Sequence, residues 1–129
     1  MPLTTPHALL LRTDGTFEVL DWPTGSHAHL KTLYNAIGCH CVDAVDITPD
    51  LTMWLDDEGI CVDSPVNVPA TRLYAAHQTL HQHYYGHAVI TGGTDRDGDT
   101  LGLTQEQVIA LIETHLTGLY ISIPTQRQA

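Results

Sequence analysis

The acidic loop at residues 95–99 has the residue types of a calcium site. Asp95, Asp97, Asp99 and Glu106 match positions 1, 3, 5 and 12 of a calcium-binding loop, where oxygen ligands surround a hard cation. The position that needs glycine for a sharp turn holds Thr100, and the preceding segment has the pattern of a strand rather than of a helix. We therefore expect an acidic turn that leads into a helix, whose amino-terminal dipole favours carboxylates, with a metal site as the alternative.

Histidines form the second candidate for metal binding, because the chain contains nine of them. His77 and His81 lie four residues apart on a predicted helix, a spacing that can present two imidazoles to zinc or nickel. Cys39, His40 and Cys41 could add thiolates, although one residue between the cysteines is fewer than in usual zinc motifs. His77 also lies on the apolar stripe of its helix, which favours a core or rim histidine. We expect no bound cofactor.

The segment at residues 65–69 is the most ligand-like loop of the sequence. Asn67 can hydrogen-bond a backbone group or a ligand, and Arg72 could orient a carboxylate or a phosphate. The alternative for Arg72 is an internal salt bridge to one of the nearby acids. The sequence holds no Gly-x-Ser-x-Gly, His-Glu-x-x-His, phosphate-binding loop or dinucleotide fingerprint. We therefore expect a protein that is not an enzyme.

The charge is strongly acidic and unevenly distributed. The chain contains fifteen acidic and five basic residues, and residues 43–63 hold seven acids and no Lys or Arg. Direct binding to nucleic acid or to an anionic membrane is disfavoured, because both need clustered basic residues. The turn Asp56, Asp57 and Glu58 is our candidate for a face that contacts a basic protein partner, with solubility as the alternative explanation of its charge.

Length and cysteine usage limit the class of protein. A chain of 129 residues with 43% hydrophobic residues corresponds to one ordinary domain and can bury its own core. Three cysteines, an odd number, and an amino terminus without a basic and apolar leader favour reduced thiols and a cytoplasmic location. No apolar run is long enough to cross a membrane.

Local patterns predict strands that alternate with helices. Asp14-Gly15 between two apolar runs indicates a hairpin. Thr104 and Gln107 form a capping box, and the spacing of Val108, Ile109 and Leu111 predicts that they face inward. Ser26 and Pro69 are placed to begin two earlier helices, and Gly38 and Gly118 are placed to end the first and the third. The predicted strands cover residues 8–11, 17–22, 41–47, 51–55, 60–62, 87–91 and 119–123; the predicted helices cover residues 26–37, 69–85 and 104–117.

This order predicts a single α+β domain with a mostly antiparallel sheet and about three helices. We place the domain at residues 1–124 and expect residues 125–129 to form a flexible tail.

Several motifs occur in an order that resembles a known family. They are an acidic turn at residues 55–59, Pro65-Val66-Asn67, the strand segment at residues 85–93, the Asp- and Gly-rich loop, and Leu-Thr-Gln-Glu-Gln at residues 103–107. The chain resembles a domain-of-unknown-function family of small proteins encoded by bacteria, phages and plasmids. The resemblance covers residues 30–111 and implies an accessory protein of a phage, a plasmid or their host, without supplying a reaction.

We therefore expect a non-catalytic accessory protein of phage or mobile-element type that binds a protein or a small-molecule ligand, and that forms a homo-oligomer. One alternative is an acidic decoy that occupies the basic surface of a nucleic-acid-binding host factor. A metal-binding module is the second alternative, and a small hydrolase or transferase is the third.

Overall fold

Six strands form one sheet in the order β3-β4-β5-β1-β2-β6. The computed structural model describes residues 7–57, 64–79, 82–116 and 120–121. Along the chain the elements are β1 (His7–Leu11), β2 (Thr16–Asp21), α1 (Ser26–Ile37), β3 (Val42–Thr48), β4 (Leu51–Asp56), α2 (Val68–His77), β5 (Ala88–Thr91), α3 (Gln105–His115) and β6 (Tyr120–Ile121). Five strands pair antiparallel, and the short β6 pairs parallel to β2. The prediction of a single α+β domain with three helices is confirmed.

Helices cover both faces of the sheet, and β1 is accordingly apolar on both of its faces. Leu9 and Leu11 pack in a core with residues of α2 and α3, whereas Ala8 and Leu10 pack in a second core with Leu33 of α1. Successive side chains of a strand point to opposite faces, so a strand that is covered on both sides reads as a continuous apolar run. The helix α1 therefore lies alone on one face of the sheet.

The first helix has the predicted bounds but not the predicted cap. Gly25, with φ 100° and ψ 135°, is the N-cap residue and makes no side-chain cap hydrogen bond. Ser26 is the first helical residue, so its predicted capping role is wrong. Gly38 ends the helix in the left-handed conformation, at φ 80°, as its position predicted.

The second helix ends at His77, eight residues before the predicted end at residue 85. Gln78 is extended, and its Nε2 donates to the main-chain oxygen of Ile47 at 2.8 Å. Farther along the chain, the main-chain N–H of Tyr84 donates to Oγ1 of Thr71, in α2, at 3.0 Å. These tertiary contacts override the helical spacing of the apolar residues. The prediction that His81 shares a helix face with His77 concerns residue 81, which lies outside the described residues.

The third helix opens with the predicted capping box. Thr104 Oγ1 accepts from the N–H of Gln107 at 3.0 Å, and Gln107 Oε1 accepts from the N–H of Thr104 at 2.9 Å. Val108 and Leu111 are buried, whereas Ile109, which the spacing predicted to face inward, is 45% exposed. Across the part of the chain that the structure describes, no helix is long and apolar enough to cross a membrane.

Three sequence predictions fall on residues that the structure does not describe. They are the extended segment at 60–62, the stop at Gly118 and the tail at 125–129. The predicted domain boundary at residue 124 stays a prediction for the same reason.

Candidate functional site

An open groove of about 480 Å³ lies on the face of the sheet that α1 covers. Its apolar surface comes from Leu10, Leu20 and Ala36. Six polar residues complete the lining: Arg12, Glu18 and Asp21 from the sheet side, Thr32 and Asn35 from α1, and His87 from the residue before β5. This volume lies within the range of small-molecule sites, which combine an apolar lining with a few polar groups.

The β1–β2 hairpin brings Arg12 and Glu18 together. Leu10 pairs with Glu18 in the ladder, and the main-chain N–H of Arg12 donates to the oxygen of Thr16 at 2.9 Å. Side chains two residues apart share a face, so Arg12 lies diagonally opposite Glu18. Its guanidinium forms a hydrogen-bonded ion pair with the Glu18 carboxylate. The two side chains are only 24% and 18% exposed, so both charges are held at the base of the groove.

The turn of this hairpin is held by Asp14. Its Oδ1 accepts from the main-chain N–H of Thr16 at 2.9 Å and from the Thr16 hydroxyl at 2.7 Å. These hydrogen bonds lower the pKa of Asp14. Gly15 occupies the left-handed region at φ 90°, which explains the Asp-Gly sequence. The polar end of the groove is therefore built on a fixed turn.

His87 is positioned by this same turn. Its Nδ1 lies 3.3 Å from the main-chain nitrogen of Thr13 and accepts its N–H. Burial, reinforced by the positive charge of Arg12 and opposed by Asp14, lowers the pKa of His87. The imidazole is therefore neutral at pH 7, and because Nδ1 accepts, the ring proton lies on Nε2. His87 thus contributes a hydrogen-bond donor rather than a base.

The charge balance of the groove decides which ligands fit. Arg12 is already neutralised by Glu18, and His87 is uncharged. These three groups therefore give the groove no net positive charge. An anion would have to displace Glu18 from Arg12, whereas an uncharged or cationic molecule meets donors and acceptors without breaking the pair.

A smaller cleft of about 250 Å³ shares His87 with the groove. Gly38, Asp56 and Pro65 are among its lining residues. Nearby, burial and the negative charge of Asp56 raise the pKa of the Cys39 thiol. A thiol with a raised pKa is a poor nucleophile, since the thiolate is the reactive form. Cys39 and Cys41 are both free thiols, and Cys61 lies outside the described residues.

The predicted ligand residues Asn67 and Arg72 have different surroundings. Asn67 is fully buried: its Nδ2 donates to the main-chain oxygens of Leu11 and Gly86 at 2.9 and 2.8 Å, and its Oδ1 accepts from the N–H of Ala70 at 3.0 Å. Both amide hydrogens and the amide oxygen are thus used within the fold. Arg72 is exposed on α2, on the face of the sheet opposite the groove. The structure does not join these two residues in one site.

The acidic loop is organised around Asp95. Its Oδ1 accepts from the main-chain N–H groups of Asp97 and Asp99 at 2.8 and 3.0 Å, in an exposed turn that a bridge between Thr94 and Thr100 closes. No group of three or more His, Cys, Asp or Glu side chains in the described ranges is arranged to hold a metal ion. Asp95, Asp97, Asp99 and Glu106 therefore do not converge as the calcium spacing required.

Two of the three predicted partner-facing acids lie at the end of β4. Asp56 is the half-buried last residue of the strand, and Asp57 is exposed, with its main-chain N–H donating to the oxygen of Cys41 at 3.1 Å. Glu58 lies outside the described residues. Asp43, Asp46 and Asp50 on the same β3–β4 hairpin are also exposed, so the hairpin is an acidic surface.

Sequence reasoning missed the groove residues. The Asp-Gly hairpin carried part of the signal. Its three-residue turn, Thr13 to Gly15, pairs Arg12 with Thr16 and Leu10 with Glu18, which makes Arg12 and Glu18 diagonal neighbours. Nothing in the sequence pattern places His87 beside them.

Comparison with known proteins identifies one family. The model of a domain of unknown function, DUF3846, matches residues 6–117, which is most of the chain. The resemblance to a domain-of-unknown-function family is thereby confirmed. No curated protein and no solved structure is significantly similar to the chain.

Proposed function

We propose that this chain, which belongs to the DUF3846 family, is a non-catalytic accessory protein that binds a small uncharged or cationic molecule in the groove between α1 and β2. The accessory role in phages or mobile elements belongs to the same proposal and rests on the resemblance of the sequence. The ligand class follows from the chemistry of the groove.

The observation that carries the proposal is the half-buried ion pair of Arg12 and Glu18 beside an apolar surface. The pair presents fixed donors and acceptors, and the half-buried Leu20 and Ala36 offer a surface for a ring or an aliphatic chain. Such a combination of a few oriented polar groups with apolar contact area is typical of small-molecule sites. A molecule with one apolar face and one polar edge fits this arrangement.

Two features favour binding over catalysis. The acceptor nitrogen of His87 is occupied by the N–H of Thr13, so the ring takes up a proton there only by losing this hydrogen bond. The thiol of Cys39 has a raised pKa and is therefore held in its unreactive, protonated form. A general base beside an activated nucleophile, which covalent catalysis requires, is not formed by these groups.

A matched series of ligands tests the charge preference directly. Tryptamine, indole-3-ethanol and indole-3-acetate share one ring and differ in carrying a positive, a neutral and a negative group. We expect tryptamine and indole-3-ethanol to bind more tightly than indole-3-acetate in an NMR titration at millimolar ligand. Equal affinity for all three, tighter binding of the acetate, or no binding at all would contradict the proposal.

Removing the carboxylate of Glu18 provides the matched variant. In Glu18→Gln, Arg12 loses its charged partner, so the preference should shift toward indole-3-acetate. Glu106→Gln, an exposed position on α3 at the other face of the sheet, should leave the order unchanged. An unaltered preference in Glu18→Gln would show that the ion pair does not select the ligand.

A second candidate function is supported by the acidic β3–β4 hairpin. No strand in the described ranges pairs with the outer edge of β3, so this edge can accept an added strand, although the N–H of Ala44 already donates to Asp43 Oδ1 at 3.1 Å. Residues 42–57 hold five aspartates and no Lys or Arg. Pairing of two copies through β3 would bring Asp43 and Asp46 of both chains together, so the charge favours a basic extended segment of another protein over a homo-oligomer.

Charge reversal tests this second candidate. A lysine-rich extended peptide should shift the NMR signals of residues 42–48, and Asp43→Lys together with Asp46→Lys should abolish the effect. Reversal of the exposed acids Asp97 and Asp99 is the matched control. Equal loss of binding in both double variants would indicate a nonspecific charge effect and not recognition by β3.

A further inference from the structure

Two histidines from different helices face each other at the carboxyl ends of α2 and α3. The ring centroids of His77 and His115 lie 5.3 Å apart, with an angle of 60° between the ring planes. Each histidine belongs to the last turn of its helix. His77 is exposed and His115 is half-buried, so the pair is accessible from solvent.

The spacing of the rings matches that of two imidazoles bound to one metal ion. With Zn–N bonds of about 2.0–2.1 Å and a tetrahedral angle at the metal, two imidazole centroids lie about 5 Å apart. We propose that His77 and His115 form a binding site for a divalent transition metal such as Zn²⁺, through one ring nitrogen from each histidine. A bound ion would link the end of α2 to the end of α3.

The electrostatic surroundings favour a cation at this point. Both helices direct the negative end of their dipole toward the pair, and positive charge is stabilised at helix carboxyl termini. Metal binds the neutral form of imidazole.

The remaining coordination positions are taken by water in this proposal. No third His, Cys, Asp or Glu among the described residues is grouped with the pair. Affinity should therefore be weaker than that of structural zinc sites, which use four protein ligands. Among divalent ions, Cu²⁺ should bind more tightly than Zn²⁺, and Mg²⁺ should not compete, since it prefers oxygen ligands.

The test is a Zn²⁺ titration of the full chain, followed by calorimetry and by the ring C–H signals of the histidines in NMR. We expect the ring signals of His77 and His115 to change together. His77→Gln and His115→Gln should each weaken this binding by at least about tenfold, because each removes one of two protein ligands. His27→Gln, an exposed histidine of α1 on the other face of the sheet, is the control and should leave the affinity unchanged.

The two glutamine variants distinguish Zn²⁺ bound by His77 and His115 from Zn²⁺ bound by other groups of the chain. If the two glutamine variants bind Zn²⁺ as the unaltered protein does, the ion is held elsewhere, for example by the thiols, and the proposal is wrong. It is also wrong if only one of the two variants loses affinity. Because His77 is exposed, His77→Gln should keep the far-ultraviolet circular dichroism of the native chain, so a loss of binding in this variant reports on the ligand and not on folding.

Discussion

Replacing Asn67 by alanine should destabilise the protein far more than its position in a loop suggests. The side chain is 0% exposed and makes three hydrogen bonds, two as donor and one as acceptor. Alanine removes the N-cap of α2, a loss of about 1 kcal/mol. It also takes a donor from the main-chain oxygens of Leu11 and Gly86, at about 1–2 kcal/mol each. We expect the free energy of unfolding to fall by about 3–5 kcal/mol.

Denaturant unfolding measured by circular dichroism gives this quantity, and the other asparagine of the chain supplies the control. Asn35 is exposed on α1 with helical neighbours on both sides, so Asn35→Ala should change the stability by less than about 0.7 kcal/mol, the range of helix propensities. A loss below about 1 kcal/mol in Asn67→Ala would show that the cap alone matters, and would refute the role assigned to the two donors.

Asn67→Asp separates the cap from the donors. An aspartate keeps the oxygen that accepts from Ala70 but places a carboxylate beside the two carbonyl oxygens. We expect this variant to be at least as unstable as Asn67→Ala at pH 7. Its stability should recover in part as the pH falls, because a protonated carboxyl can donate one hydrogen bond. Wild-type stability of Asn67→Asp at pH 7 would contradict the assignment.

Three further predictions concern backbone packing, pH and calcium. A Cβ at Gly93 would lie 2.1 Å from the main-chain oxygen of Pro49, so Gly93→Ala should lower the free energy of unfolding by more than about 2 kcal/mol in a denaturant titration. The pKa values of His87 and His115 are lowered in the folded chain, so their contribution to stability is complete above the unfolded pKa of about 6.5 and is lost as the pH falls from there through the lowered pKa of the folded chain. Glutamine at both positions should therefore reduce the drop in melting temperature between about pH 7.5 and 5.5, and an unchanged drop would count against this explanation. Because Asp95 uses its carboxylate within the loop, millimolar calcium should change the melting temperature by less than about one degree relative to a chelator.

Local signals were sufficient for the elements whose ends are set by neighbouring residues. The capping box at Thr104 and the left-handed Gly38 acted as the sequence predicted, because both depend on hydrogen bonds within a few residues. The end of α2 was mispredicted because it depends on distant groups. Gln78 contacts the oxygen of Ile47, thirty-one positions away in sequence, and no local pattern carries that information.

The same distinction between local and distant contacts explains which residues of the candidate site the sequence could predict. Asn67 was a candidate ligand contact because of its residue type. Its side-chain amide instead donates to the main-chain oxygen of Leu11 at the end of β1, a contact that only the tertiary arrangement shows. The proximity of Arg12 and Glu18 depends on the three-residue turn at residues 13–15, because a two-residue turn at Asp14-Gly15 would shift the register by one and place the two side chains on opposite faces. His87 reaches the pair through the antiparallel pairing of β5 with β1, across seventy-four positions of sequence from Thr13.

The central claim is that the groove between α1 and β2 binds an uncharged or cationic small molecule. The most direct test is to identify the backbone amides whose NMR signals change when a ligand is added. We predict that tryptamine, titrated into the ¹⁵N-labelled chain, perturbs the amide signals of Asp21, Thr32, Asn35 and His87 in a saturable manner. Signals of residues 95–99, in the acidic loop, should stay unchanged. Perturbations that do not saturate, or that are confined to the aspartates of residues 42–57 and 95–99, would show that the ligand meets only surface charge and would contradict the claim.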